Sequence, residues 1–417
     1  MLSDYRLFTA DEANDRLGEP IMNIPFSNRI TGVQPSAIRE ILKLSSDPAI
    51  ISFAAGNPSE DAFPVEAVQK ITEEILTEHP IAALQYSLTE GYPALRQTLK
   101  NRMLEKGIGR EEEEILVMSG AQQGIELATK CLVNEGDVVI CEDPSFVGAL
   151  NTFRSYGAKL VGVEMEHDGI HLAKLEQALK ENPNTKLIYL IPTFQNPSGI
   201  TTSLEKRKAC YELAKQYGVM ILEDNPYSDL RTEGEEVAPI KTFDDEGIVI
   251  YCGTFSKILS PGLRVGYVMV NKDLAAKMTV AKQTCDVHST ILSQMICERF
   301  LNTVDFDRHL EGLRTIYRHK KNLMLEEMDK CFPQDVISYT RPEGGLFIWC
   351  TFKGDVDSAD FAKQAVLQKI AVVPGAAFLA DDTQKSNSFR MNFSTPKDED
   401  IVGGVETLAE IIRSYVK

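Results

Sequence analysis

The chain has no Cys-x-x-Cys pair, although eight cysteines are scattered along it. Its spacing therefore offers no zinc ribbon, no redox dithiol and no disulfide framework. The six histidines come with no paired cysteines to complete a ligand set, so no metal is expected. No apolar run approaches the roughly 18–20 residues of a membrane span. The first residues lack the basic, then apolar, then small-residue order of a secretion signal. A cytosolic protein with reduced thiols and no membrane partner is the expectation. Positive charge is short as well. Lys and Arg number 44 against 61 Asp and Glu, a formal net charge of −17. That balance argues against a nucleic-acid partner or an anionic-membrane surface. It leaves room for a small cationic pocket.

What is present is an ordinary globular composition, with 43% hydrophobic and 25% charged residues over 417 positions. That length allows more than one compact unit. Residues 1–50 read as an arm with an acidic beginning and a short amphipathic helix over 36–44. Arg29 and Arg39 in it are candidate anion contacts, and a solvated or salt-bridged role suits either one better. From 51 to about 305, short apolar strands alternate with amphipathic helices, the pattern of a mostly parallel α/β sheet. A long helical region over 274–331, broken near 302–305, leads into a smaller α+β unit over 306–417. No internal repeat or low-complexity segment occurs.

The chemistry-bearing residues sit where strands end. Ile115–Met118 runs into Ser119-Gly120-Ala121-Gln122, a small-residue turn that opens a helix. Backbone N–H groups and the helix dipole there suit an anion. Val138–Cys141 leads towards Phe146, either a core residue or a platform for a flat ring. Leu187–Ile191 ends near Asn196, and Val219–Leu222 ends in Glu223-Asp224-Asn225-Pro226-Tyr227. Ligands of open α/β sheets bind at that edge. Between strand Ile248–Cys252 and strand Val265–Val270 lie Thr254, Ser256, Lys257, Ser260 and Arg264. A lysine leaving a buried strand is expensive to desolvate, but suits a nucleophilic amine. In the C-terminal unit, Phe389-Arg390-Met391-Asn392-Phe393 alternates, with Arg390 on the polar side.

Together these groups suit one cofactor. A phosphate needs N–H groups, hydroxyls and an arginine. A planar heterocycle needs a stacking face, its ring nitrogen a buried carboxylate, its ring oxygen hydrogen-bond donors, and an aldehyde a lysine. Pyridoxal 5′-phosphate makes all five demands.

On these motifs the sequence resembles the fold type I, class I/II aminotransferases, and most of all their 2-aminoadipate, kynurenine-type and broad-specificity branch. The carrying stretches are Gln85-Tyr86-Ser87, Ser119-Gly120-Ala121-Gln122-Gln123-Gly124, Gln195-Asn196-Pro197-Ser198-Gly199, Glu223-Asp224-Asn225-Pro226-Tyr227 and Ser256-Lys257-Ile258-Leu259-Ser260-Pro261-Gly262-Leu263-Arg264-Val265-Gly266. The resemblance implies a large domain with a mostly parallel seven-stranded sheet in a three-layer α/β/α sandwich, plus a smaller α+β domain. It implies an imine between Lys257 and the cofactor, Asp224 at the ring nitrogen, and Asn196 and Tyr227 at the ring oxygen. Gly120, Ala121, Gln122, Thr254, Ser256 and Arg264 would surround the phosphate, and Tyr86 would reach it from a second subunit of a homodimer. Arg390 would hold the substrate carboxylate, with Gly56 and Asn196 beside it. Phe146 stands where such proteins usually stack a tyrosine, so a hydroxyl is missing there. Arg29 is a further candidate for a distal substrate carboxylate.

The implied reaction moves an amino group from an L-amino acid to a 2-oxo acid by ping-pong kinetics, with Lys257 as base and then acid. Two alternatives are a lyase or decarboxylase on the same scaffold and a non-enzymatic effector-sensing relative. The short arm and the acidic balance speak against the second. The physiological amino donor is not written in the sequence.

Overall fold

The computed structural model describes residues 25–31, 33, 47 and 49–415. The helix expected over 36–44, and Arg39 within it, lie outside the described residues.

The first strand, β1 (Ile51–Ser52), pairs in parallel with Ile370–Ala371, more than 300 residues later. The central sheet is built from β2 (Glu114–Met118), β3 (Val138–Asp143), β4 (Lys159–Glu166), β5 (Gly169–Ile170), β6 (Thr185–Leu190), β7 (Met220–Asp224), β8 (Val249–Thr254) and β9 (Gly266–Val270). Their order is β2-β9-β8-β7-β6-β3-β4-β5. Strand β9 runs antiparallel to both neighbours, while β8, β7, β6, β3 and β4 are mutually parallel. Two-residue β5 is a short return from β4. Without it, the sheet has the expected seven strands.

Because successive side chains alternate between the sheet's faces, each central strand feeds two cores. Met118, Val139, Leu187, Leu222 and Ile250 pack with Ile125, Leu150 and Met278 of the helices Ala121–Leu132, Val147–Ser155 and Lys272–Gln283. On the opposite face Ile140, Ile188, Ile221 and Val249 pack with Leu175, Leu179 and Tyr211 of Leu172–Glu181 and Leu204–Tyr217. Ile115, Val117 and Met269 meet Ile71, Leu95 and Phe300 further along. The result is the expected three-layer arrangement. Each fully buried aliphatic side chain contributes about 1.5–3 kcal/mol.

The helical region over 274–331 has two breaks rather than one. The helices are Lys272–Gln283, Ile291–Thr303 and Phe306–Cys331. Asp305 caps the last of them, accepting from the Arg308 N–H. The unexpected break lies at 284–290. Buried Lys282 pulls that segment back on itself, donating to Asp286 Oδ1 at 2.8 Å and Ser289 Oγ at 3.0 Å. Val287 sits at φ 64°. An i,i+4 Lys–Asp pair is as compatible with a continuing helix as with this turn, so the sequence pattern did not betray it.

A second sheet, antiparallel throughout, orders β10 (Ile337–Tyr339), β11 (Phe347–Phe352), β14 (Ser388–Asn392) and β13 (Val373–Pro374), with β12 (Ile370–Ala371) on β1. Its core takes in Phe53, Phe194 and Tyr227, which precede its own strands in the chain. Those contacts bring Arg390 of β14 to the edge of the large sheet. Among the described residues, no helix is long and apolar enough to cross a membrane.

Candidate active site

Strands β2, β6, β7 and β8 all end at one edge of the large sheet. A cavity of about 280 Å³ opens there. Its lining includes Gly56, Ala121, Gln122, Phe146, Asn196, Asp224, Tyr227, Thr254, Ser256, Lys257, Arg264 and Arg390.

Asp224 is the last residue of β7 and is 4% exposed. Its Oδ2 accepts from the Tyr189 hydroxyl at 2.8 Å, while Oδ1 has no partner among the described residues. Burial pushes its carboxyl up to about 6, and the Tyr189 bond opposes the rise. Lys257 follows β8, and its Nζ donates to the Gly56 carbonyl at 2.7 Å. Burial, then the nearby Arg390 and Arg264 cations, lower its pKa to about 8. The amine is thus far closer to its neutral, nucleophilic form at pH 7 than an ordinary lysine.

Arg390 reaches the cavity from the second sheet, only 2% exposed. It donates through Nη1 to Asn196 Oδ1 at 2.9 Å and through Nη2 to the Ala54 carbonyl at 2.8 Å. Its guanidinium lies 4.1 Å from the Phe347 ring centre and 5.0 Å from that of Phe378. Nε is buried without a partner. Burial lowers its pKa to about 10. Among the described residues, no carboxylate forms an ion pair with it. A buried cation without a counter-charge is costly, and an anion entering the cavity would offset that cost.

Asn196 is positioned by a rigid loop. Arg207, fully buried, donates to the Pro192 carbonyl at 2.7 Å, Thr193 Oγ1 at 2.9 Å and the Thr202 carbonyl at 2.9 Å. Both flanks of the loop are therefore tied to one side chain.

At the far end the helix Ala121–Leu132 starts at Gly120, whose φ of 85° suits glycine. A Cβ there would lie 2.3 Å from Arg264 Nη2. Arg264 donates to the Ser119 and Pro261 carbonyls at 3.1 and 3.2 Å. Thr254 Oγ1 and Ser256 Oγ are 2.9 Å apart. The Gln122 amide is turned to Gly148 and Thr152, so its backbone N–H is what the first helical turn offers an anion.

Three expected residues stand apart from the lining. Gly120 shapes the turn beside it. Tyr86 is 81% exposed, its ring edge-on to His288 at 5.7 Å. Arg29 is exposed, 5.8 Å from the Tyr156 ring centre. Conversely, sequence reasoning passed over Phe347, which lines the cavity, and Tyr189, which holds Asp224. Tyr189 carried a signal. A hydroxyl in the middle of a fully buried strand needs a partner.

These groups fit pyridoxal 5′-phosphate. The orphaned Asp224 Oδ1 matches a protonated ring nitrogen, the Gly120 turn with Ser256 and Arg264 matches a phosphate, and Lys257 matches an aldehyde. Fold and site together define a fold type I protein of the pyridoxal-phosphate class.

The chain belongs to the class I and II aminotransferases: the model of the family described as "Aminotransferase class I and II" matches residues 48–408. It is similar to "Aromatic-amino-acid aminotransferase 1" of Thermococcus litoralis, 38% identical over 397 residues, covering 94% of this chain and 95% of that one. It is also similar to the "2-aminoadipate transaminase" of Thermus thermophilus, 37% identical, covering 92% and 95%. Among solved structures, the kynurenine aminotransferase of Pyrococcus horikoshii, crystallised with PMP and kynurenine, superposes with a TM-score of 0.91 at 35% identity over 94% of this chain and 98% of that one.

Proposed function

We propose that this aminotransferase exchanges an amino group between an L-amino acid and a 2-oxo acid at the cavity formed by Lys257, Asp224 and Arg390. The observation that carries the reading is the shared cavity itself. A lysine with a depressed pKa, a buried carboxylate with a free oxygen, and a buried guanidinium without an anion all face one space.

When bound, pyridoxal 5′-phosphate supplies an aldehyde and an electron-withdrawing ring. In this reading Asp224 keeps the ring nitrogen protonated through Oδ1. Asn196 and Tyr227 hold the ring oxygen, and Phe146 covers one ring face. The N–H groups of Ala121 and Gln122, with Ser256 and Arg264, hold the phosphate. Arg390 takes the substrate α-carboxylate as a charge-assisted fork and so orients the Cα–H bond. Lys257 Nζ, whose lowered pKa favours the free amine, would take up the substrate's Cα proton as a base and hold it for return as an acid.

The same reading divides the chain into an arm that also forms part of the small unit (1–50), a large unit (51–305) and the rest of the small unit (306–417), working in the cytosol. It makes the protein a homodimer. Ile81, Leu84, Tyr86 and Leu88 are all exposed, 54–81% accessible, and exposed apolar side chains close in sequence suit a protein–protein contact. Tyr86 then serves the partner's phosphate site, and Arg29 reaches a substrate only across that interface.

A panel of amino acids tests the function, each mixed with holoenzyme and scored by conversion of the bound cofactor to its amine form. The relatives' names put aromatic amino acids, kynurenine and 2-aminoadipate first on it. Conversion with release of the matching 2-oxo acid supports transamination. Release of carbon dioxide or a side-chain fragment instead would establish a decarboxylase or lyase.

A further inference from the structure

Asp224 has an unusual environment for a buried carboxylate. Among the described residues, neither an arginine nor a lysine is hydrogen-bonded to it, and its one bonded partner is the neutral Tyr189 hydroxyl. Tyr189 is the next-to-last residue of β6, 0% exposed, with its ring edge-on to Phe153 at 5.4 Å. The other titratable groups that feel the charge of Asp224 are Glu142 on β3, Cys252 on β8 and Tyr227 beyond β7. Burial raises the pKa of all three, which favours their neutral forms. A cationic partner would have cancelled the negative charge that favours a cationic group across the cavity. A neutral donor fixes one oxygen and leaves the full negative charge for the other.

We propose, resting on the reading above, that Tyr189 is a positioning residue that locks the Asp224 carboxylate through Oδ2 and so reserves Oδ1, still anionic, for the cofactor's ring nitrogen. Without the hydroxyl, both oxygens are unpaired and Asp224 becomes the stronger base. The shared proton then moves from the ring nitrogen towards the carboxylate, and the ring withdraws fewer electrons.

The test is Tyr189→Phe, which keeps the ring and its packing against Phe153. Pyridoxal phosphate affinity is measured by fluorescence titration of the apo form. The pH midpoint of the bound cofactor's visible absorbance and the steady-state constants are measured on the holoenzyme. Loss of a hydrogen bond to a charged group predicts about tenfold weaker cofactor binding and about tenfold lower kcat, with KM within about twofold. The absorbance midpoint moves upward by about half a unit or more. In an Asp224→Ala background the same change alters cofactor affinity by less than about twofold, because the partner is gone. The proposal is overturned if the single variant matches wild type in affinity and midpoint, or if its effect persists at full size without Asp224. A wild-type protein that takes up no pyridoxal phosphate would overturn the functional reading itself, and this proposal with it.

Discussion

Replacing Arg390 by methionine separates function from stability. The guanidinium makes two bonds to neutral acceptors, Asn196 Oδ1 and the Ala54 carbonyl, and none to a carboxylate. A substrate carboxylate would accept charge-assisted bonds worth about 1.5–3 kcal/mol each. Two of them, lost together, lower kcat/KM by about 10²–10⁴-fold, mostly through KM. For the apo protein the terms nearly cancel. The change relieves the desolvation that holds this arginine down to about 10. It also leaves two acceptors short of a donor, at about 1–3 kcal/mol each. Methionine keeps contact with Phe347. The net change in apo stability is then about 2 kcal/mol or less, where breaking a genuine buried ion pair costs about 3–5. Steady-state kinetics over a wide range of amino acid concentration and thermal melts of the apo form measure both halves. An unchanged KM would remove Arg390 from carboxylate binding. A melting point collapsed as by a broken ion pair would mean the cation has a partner after all.

Three further outcomes follow from the same geometry. With Lys257 titrating at about 8, the rate at which apo protein captures pyridoxal phosphate rises about tenfold per pH unit up to about 8 and then levels off; a rate still climbing at pH 10 would mean an ordinary lysine. Asp224 holds its proton up to about 6 against an ordinary 3.8. The folded value is the higher, so the cost of burying the anion is absent below about pH 4 and complete above about 6. Apo Asp224→Asn is therefore more stable than wild type at pH 7 by about 3 kcal/mol, a margin that shrinks as pH falls through 6; denaturant titrations at several pH values check the sign. Gly120→Ala puts a Cβ 2.3 Å from Arg264 Nη2 at a φ of 85°. It weakens cofactor binding and costs about 1–3 kcal/mol of stability, read by fluorescence titration and melting.

The strands and the residues at their ends were legible because both are local. Apolar runs such as Leu187–Ile191 and Ile248–Cys252 specify buried strands through their continuous apolar, β-branched and aromatic content, and Gly120 or Lys257 is unusual against its immediate neighbours. The break at 284–290 was not legible, since Lys282 turns back on Asp286 and Ser289 only when burial and Gln123 Oε1, at 2.8 Å, leave it no solvent.

Sequence by itself determined the order of the motifs, the chemistry each could offer and the edge of the sheet at which they emerge. Tertiary structure alone decided which groups are paired and which are left wanting. Arg390 meets Asn196 across 194 positions and Ala54 across 336, and Lys257 meets Gly56 across 201. Tyr189 reaches Asp224 only because β6 and β7 lie side by side. The reason is physical. The cost of a buried charge depends on what surrounds it in three dimensions, and spacing along the chain says nothing about which oxygen will be left without a donor.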